Sequence, residues 1–155
     1  MKPILLLLVA TLFFSCKNNT ESVTETTTVE PQEQELSLEG AWELVSYYNY
    51  ENDAVSDTIL SSDTNKQIKM YSTSRVMWSR YRDSDSLDWF GYGNYTIEDG
   101  RLSEVLEYGS KSMNQVIAEQ NEFVFDLILE KDKFSQVELD EKGRPFYAEN
   151  YVRIE

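Results

Sequence analysis

The chain has 155 residues, enough for one small domain, and carries a formal net charge of −14. A surface of this sign repels phosphate backbones, so no nucleic-acid partner is expected. The sequence contains no histidine and a single cysteine, Cys16. Imidazole is therefore missing as a base or zinc ligand, no intramolecular disulfide can form, and we expect neither a cofactor nor a metal site.

Residues 1–15 have the layout of an export signal. Lys2 precedes an apolar run from Ile4 to Phe14, which at about 11 residues is far shorter than the ~20 that span a bilayer. The LFFSC segment that ends at Cys16 resembles the bacterial lipobox, in which the cysteine is acylated and becomes the mature N-terminus. This resemblance implies a lipoprotein signal peptide over 1–15 and a diacylglyceryl group on Cys16. The alternative is an ordinary signal peptide with an incidental cysteine.

Residues 17–36 are polar and contain five threonines and five glutamates. They carry too little apolar surface to offset the conformational entropy lost on folding. We therefore expect 16–36 to comprise the lipidated cysteine and a disordered tether, and 37–155 to form the folded domain.

Eight short runs with strand composition follow Ser37. All ten tyrosines and all three tryptophans of the chain lie after Ser37, and turn residues separate the runs. Asp99 and Gly100 join two of the runs and predict a tight hairpin, because both residues tolerate positive φ. Two segments break the pattern and are interpreted as lids or connectors: 49–65, and 109–120 with helical spacing of its apolar residues. The predicted strands are 40–48, 66–72, 74–82, 92–98, 101–108, 121–130, 133–139 and 145–154.

Eight sequential strands leave two sheet edges that must be protected. Closing the sheet removes both edges. The predicted fold class is therefore all-β, an eight-stranded antiparallel up-and-down barrel, with a two-sheet sandwich as the alternative.

Short motifs in the same order resemble those of the lipocalins, a branch of the calycin superfamily. Gly40-Ala41-Trp42 resembles their G-x-W start, and Arg153 resembles the arginine that covers this tryptophan. The resemblance implies a lipocalin-like barrel over 37–155 and a structural latch between Trp42 and Arg153. A longer similarity, to a lipocalin-like domain of secreted bacterial lipoproteins largely of unknown function, rests on GAWELVS from Gly40, Lys69 to Trp78, GYGNYT from Gly91, and Glu104, Glu107 and Tyr108.

Alternation suggests which side chains line the barrel interior. Glu104 shares a face with Leu102, Leu106 and Tyr108. If that face is inward, Glu104 is a carboxylate in the cavity that would need a partner such as an arginine at 75, 80 or 82, and otherwise it is a solvated acid. Between 74 and 82 the alternation leaves open whether residue 77 or 78 points inward. The aromatic residues either bind a small ligand or simply fill the barrel. The predicted ligand-binding residues are Tyr48, Trp78, Glu104, Tyr108, Phe123, Phe125 and Tyr147.

Two other acidic patterns are weaker site candidates. Asp83, Asp85 and Asp88 have the alternate spacing of a calcium loop, but the central glycine and the acidic twelfth position are missing, so a solvated turn is favoured. Glu104 and Glu107 lie three residues apart on one strand and therefore point to opposite faces. They cannot act as a close catalytic pair, and without histidine an enzyme is the least favoured reading.

The leading hypothesis is a lipid-anchored lipoprotein of the cell envelope, at the outer membrane and facing either the periplasm or the surface. Its domain would bind a small apolar or amphipathic ligand without catalysis. The alternative is an interaction module with a filled barrel that recruits an envelope protein or glycan through its outer tyrosines and acidic residues.

Overall fold

The structure, a computed structural model, describes residues 36–84 and 86–155. The predictions for the signal peptide, Cys16 and nearly all of the tether lie outside these residues. All eight predicted strands are present, and a further strand and a short helix accompany them. The elements are β1 (Gly40–Glu51), β2 (Ala54–Leu60), β3 (Asn65–Tyr71), β4 (Arg75–Arg82), β5 (Trp89–Glu98), β6 (Arg101–Gly109), α1 (Lys111–Glu119), β7 (Glu122–Leu129), β8 (Lys133–Leu139) and β9 (Pro145–Arg153).

Eight of these strands close into a barrel. From β3 to β9 every strand pairs antiparallel with the next one along the chain. β1 pairs with β9 along one edge and, through Gly40–Glu43, with β3 along the other. The ring confirms the predicted up-and-down barrel.

The strand that sequence reasoning missed, β2, lies outside this ring. It pairs with the second half of β1 only, and all seven of its residues are exposed. Asn52 and Asp53 both have positive φ, which makes the tight turn between β1 and β2. The 49–65 segment is thus mostly a hairpin extension and not an irregular connector.

Two other connections, one a turn and one a short helix, join strands of the barrel. Asp99 and Gly100 have φ of 52° and 75°, and they form the predicted hairpin between β5 and β6. Between β6 and β7, the Ser110 hydroxyl accepts a hydrogen bond from the Met113 amide and caps α1, which buries Met113. The predicted helical spacing at 109–120 is therefore realised. No helix in 36–84 or 86–155 is long and apolar enough to cross a membrane.

The barrel interior is filled at the end where β1 begins. Trp42, Leu102, Phe134 and Tyr151 are each no more than 1% exposed. The Phe134 ring stacks on Tyr151 at 4.5 Å and meets Trp42 edge-on at 4.9 Å. This end is a packed core, so any interior space must lie toward the other end, where α1 sits.

Candidate functional site

A layer of polar side chains crosses the barrel above the packed core. Lys69 of β3 donates hydrogen bonds to both carboxylate oxygens of Glu104 on β6, at 2.8 and 3.0 Å. Its ammonium group also donates to Oε1 of Gln136 on β8, at 2.7 Å. All three residues are buried, so this ion pair joins three walls of the barrel away from water.

A second carboxylate, Glu149 of β9, lies beside the first group. Its Oε2 accepts hydrogen bonds from Gln67, Gln136 and the Tyr151 hydroxyl, at 3.2, 3.0 and 2.5 Å. Its Oε1 accepts one from Nη2 of Arg80, at 3.1 Å. Gln136 therefore bridges the two ion pairs. We call the whole set the polar layer: Gln67, Lys69, Tyr71, Arg80, Glu104, Gln136, Glu149 and Tyr151.

The two tyrosines of this layer act as hydrogen-bond donors. Burial first, and then the neighbouring Glu104 carboxylate, raise the pKa of Tyr71 well above its usual value. Burial and Glu149 do the same to the pKa of Tyr151. Both phenols therefore stay protonated at neutral pH, and Tyr71 donates to Oε1 of Glu104 at 2.5 Å.

Two adjoining cavities lie above the polar layer. The inner cavity, of about 140 Å³, has polar-layer side chains as its floor and Trp78, Leu106, Met113, Phe123 and Phe125 as its walls. The outer cavity, of about 300 Å³, shares four lining residues with the inner one and adds others that include Glu138 and Tyr147. The shared residues are Phe123, Phe125, Gln136 and Glu149.

The outer cavity lies where two neighbouring strands separate. β7 and β8 are paired from Leu129↔Phe134 up to Asp126↔Val137. Beyond that pair the two strands are no longer paired, and Phe123 and Phe125 of β7 and Glu138 of β8 line the outer cavity. The separation gives the interior a lateral opening beside α1.

Five of the seven predicted ligand-binding residues line these cavities. Trp78 and Glu104 line the inner cavity, Tyr147 lines the outer one, and Phe123 and Phe125 line both. The parity left open in 74–82 is settled by the cavity, since Trp78 points inward and residue 77 is 48% exposed.

Tyr48 was predicted on the inner face, and this is wrong. The register between β1 and β9 shifts after Leu44, so that Leu44 opposes Tyr151 but Tyr47 opposes Glu149. One extra residue in a strand reverses the alternation beyond it. Tyr47 is therefore the inward residue, 2% exposed and stacked on Tyr147 at 5.7 Å.

The prediction that Tyr108 faces inward is also wrong, for the same reason. β5 and β6 shift register at Tyr92 and Gly93, which leaves Glu107 as an extra residue in β6. Tyr108 consequently faces outward, is 53% exposed and lies against the Tyr92 ring at 5.1 Å. Leu102, Glu104 and Leu106, before the bulge, are buried as the alternation predicts.

The prediction that an arginine is the partner of Glu104 is wrong as well. Lys69 is the partner, while Arg80 pairs with Glu149 and Arg75 pairs with Glu107 on the outer wall. Glu104 and Glu107 do point to opposite faces. Sequence alone could not identify these ion pairs, because the partners lie on distant strands and are brought together only when the barrel closes.

The remaining candidates lie away from the cavities. The guanidinium carbon of Arg153 sits 4.0 Å from the centre of the Trp42 ring and closes the packed end. That group donates to the carbonyl oxygens of Ser37, Glu39 and Lys131. Of the candidate calcium loop, residue 85 lies outside the described residues, and in the described part no three metal-ligating residues group together.

The polar residues of the site that sequence reasoning did not predict as site residues are Gln67, Lys69, Arg80, Gln136 and Glu149. Each occupies an inward position of a strand. One available signal is the spacing of Gln67, Lys69 and Tyr71 on one face of β3. That signal is weak, since polar residues at alternate positions normally indicate the solvated face of a strand.

Neither a protein-family model nor a curated protein matches this sequence. The structure is similar to an uncharacterized protein from Bacteroides eggerthii, at 17% identity and a TM-score of 0.49, over 76% of this chain and 99% of that one. It is also similar to a lipocalin-like protein from Bacteroides uniformis, at 15% identity and a TM-score of 0.52, over 76% of this chain and 98% of that one. The second similarity, together with the ring of eight strands, shows that the chain has a lipocalin-like fold.

Proposed function

We propose that this chain is a lipid-anchored lipoprotein of the cell envelope whose barrel binds a small amphipathic molecule. The observation that carries the proposal is a pair of adjoining cavities with a charged, hydrogen-bonded floor and largely aromatic walls. A polar head group would meet the floor, and an apolar body would lie against Phe123 and Phe125.

The size of the space suits a small ligand. A cavity of about 150 Å³ accepts a benzene molecule, and the inner cavity is of this order, about 140 Å³. The outer cavity adds about 300 Å³. Ligand sites typically have a volume of a few hundred Å³, so the two cavities together reach this size. A head group in the inner cavity and a short chain or ring in the outer cavity would fit this division.

Binding fits the chemistry of the site better than catalysis. The interior carboxylates of Glu104 and Glu149 accept three and four hydrogen bonds from the protein. Carboxylate oxygens that already accept this many hydrogen bonds from fixed side chains are poorly placed to exchange a proton with a substrate. The polar layer therefore acts as a fixed recognition surface in this proposal.

The first test is native mass spectrometry of the protein purified from its own host, followed by denaturation to release any bound molecule. We expect one reproducible amphipathic compound. Phe123→Ala should lose that compound, because this ring lines both cavities. Ile128→Ala, an outward residue on the same strand that is 58% exposed, should retain it. A ligand-free mass, with no stabilisation by a library of lipids and aromatic compounds, contradicts the binding proposal.

Membrane attachment through Cys16 is a separate part of the proposal and rests on the LFFSC segment alone. When cells that express the protein are grown with an alkyne-labelled fatty acid, the wild-type chain should become labelled. Cys16→Ser should abolish the label and release the protein from the membrane fraction. Labelling that persists in Cys16→Ser contradicts the assignment of this anchor.

A second candidate function, recruitment of an envelope protein, is favoured by the outer wall of the barrel. Met70, Met77, Tyr92 and Tyr108 are successive cross-strand neighbours on β3, β4, β5 and β6. Methionine and tyrosine are enriched where proteins meet. A photo-crosslinking residue at position 108 should capture one protein that the same probe at position 128 does not, and Met77→Ser should reduce this capture. Equal labelling from both positions contradicts this candidate.

A further inference from the structure

The charges around the inner cavity are balanced. The polar layer contains two cations, Lys69 and Arg80, and two carboxylates, Glu104 and Glu149. Each cation makes an ion pair, with Nζ of Lys69 2.8 Å from Glu104 and Nη2 of Arg80 3.1 Å from Glu149. A charged ligand group entering this space would leave an excess charge in a largely buried site, which is unfavourable unless the protein compensates it.

The hydrogen-bonding capacity of the floor is not balanced in the same way. A guanidinium group has five N–H donors. Within residues 36–84 and 86–155, Arg80 donates through Nε to Gln67 and through Nη2 to Glu149, and through no other atom. The two carboxylates, in contrast, already accept seven hydrogen bonds between them. The floor therefore has donors to spare at Arg80.

We infer that the head group taken by the inner cavity is uncharged and accepts hydrogen bonds, such as the carbonyl of an amide, ester or ketone on a short apolar chain. The inference rests on the proposed ligand-binding function and names the class of ligand. Its carbonyl would accept from the spare N–H groups of Arg80 without disturbing the ion pair to Glu149. Glu138, on the wall of the outer cavity, adds a further negative charge that disfavours a carboxylate.

The test compares three ligands that share one chain and differ in the charge of the head group: octanamide, octanoate and octylammonium. The full chain is made by cell-free synthesis, so that Cys16 is not acylated, and affinities are measured by calorimetry at neutral pH. We expect octanamide to bind at least about tenfold more tightly than either ion. Octanoate binding as tightly as octanamide overturns the inference while upholding the binding function. Binding of none of the three overturns both.

Two variants shift the charge balance in opposite directions. Glu149→Gln removes a negative charge and leaves Arg80 without its ion pair, so the preference should change from octanamide to octanoate. Arg80→Gln should weaken octanamide and favour octylammonium over octanoate, and it remains informative if Glu149→Gln does not fold, because Arg80 is only partly buried. Glu107→Gln, which changes the net charge equally but lies on the outer wall beside Arg75, is the matched control. It should keep octanamide as the preferred ligand, and a shift to octanoate as large as that of Glu149→Gln overturns the inference.

Discussion

The ammonium group of Lys69 and the carboxylate of Glu104 form a salt bridge of 2.8 Å in which both side chains are only 3% exposed. The two residues lie on β3 and β6, which are separated in the barrel by β4 and β5. The pair therefore spans the interior instead of joining adjacent strands. It fixes the distance between opposite walls just below the inner cavity.

Removing one member of this pair should destabilise the barrel strongly. Lys69→Met leaves a buried carboxylate whose remaining hydrogen-bond donor among the described residues is Tyr71, and loss of one partner of a buried ion pair costs about 3–5 kcal/mol. The double variant Lys69→Met/Glu104→Leu removes both charges and should cost less than the sum of the single variants. Urea unfolding of all four proteins measures the coupling. Additive free energies of unfolding would show that the pair is not a coupled unit.

Sequence reasoning predicted the strands because their alternation is local. The Asp99–Gly100 turn and the inward positions of Phe123 and Phe125 need no information from the rest of the chain. The errors at Tyr48 and Tyr108 arise from bulges at Val45 and Glu107. A bulge changes parity without changing composition, so the residues beyond it were assigned to the wrong face.

The polar floor of the site was largely out of reach for a different reason. Alternation places Glu104 on one face with Leu102 and Leu106, but its partner Lys69 lies 35 positions earlier in the chain. Gln67 and Glu149 are 82 positions apart. Whether such residues face water or one another is decided when the barrel closes, and a single sequence contains no signal for that.

Arg153 should be a major source of stability at the packed end. It stacks over Trp42 and donates three hydrogen bonds to backbone carbonyl oxygens. Arg153→Met keeps much of the aliphatic stem but loses these interactions, and we expect a loss of about 2–4 kcal/mol. Arg101→Met, which removes an exposed pair with Asp126, should cost less than about 1 kcal/mol. Similar unfolding midpoints for the two variants would contradict a latch role for Arg153.

The two tyrosines of the polar layer, Tyr71 and Tyr151, should titrate late. Burial and the adjacent carboxylates raise the pKa of Tyr71 and Tyr151 well above 10.0 in the folded state. Since the folded pKa exceeds the unfolded value, their contribution to stability is complete below pH 10 and is lost as the pH rises above it. Phenolate absorbance should show these two residues ionising only when the barrel unfolds. Tyr71→Phe and Tyr151→Phe should each remove one late-titrating group, and early ionisation of both in the native state would contradict the buried hydrogen bonds.

Asp140, in the turn between β8 and β9, should show a low pKa. Hydrogen bonds from the Arg144 side chain and backbone lower the pKa of this carboxyl to about 2 from 3.8. The folded pKa is the lower one, so the stabilisation is present above pH 3.8 and is lost as the pH falls toward 2. Carboxyl-carbon NMR titration measures the value directly. Arg144→Met should move it upward, whereas Lys142→Met should not, because Lys142 contributes only its backbone amide.

Gly91 sets how far the Trp78 side chain stands from β5, and this should control the inner cavity. Gly91 and Trp78 are cross-strand partners, and a methyl group at position 91 would lie 2.9 Å from the indole ring and 3.1 Å from Leu106. Gly91→Ala should therefore push Trp78 into the cavity, alter its fluorescence, cost about 1–3 kcal/mol and weaken ligand binding. The matched control is Gly100→Ala in the same hairpin, where φ is +75° and no atom lies within 4 Å of the added methyl. That change strains the turn by about 1–2 kcal/mol and should leave binding intact. An equal loss of binding in both variants would mean that lowered stability, and not the position of Trp78, governs access to the site.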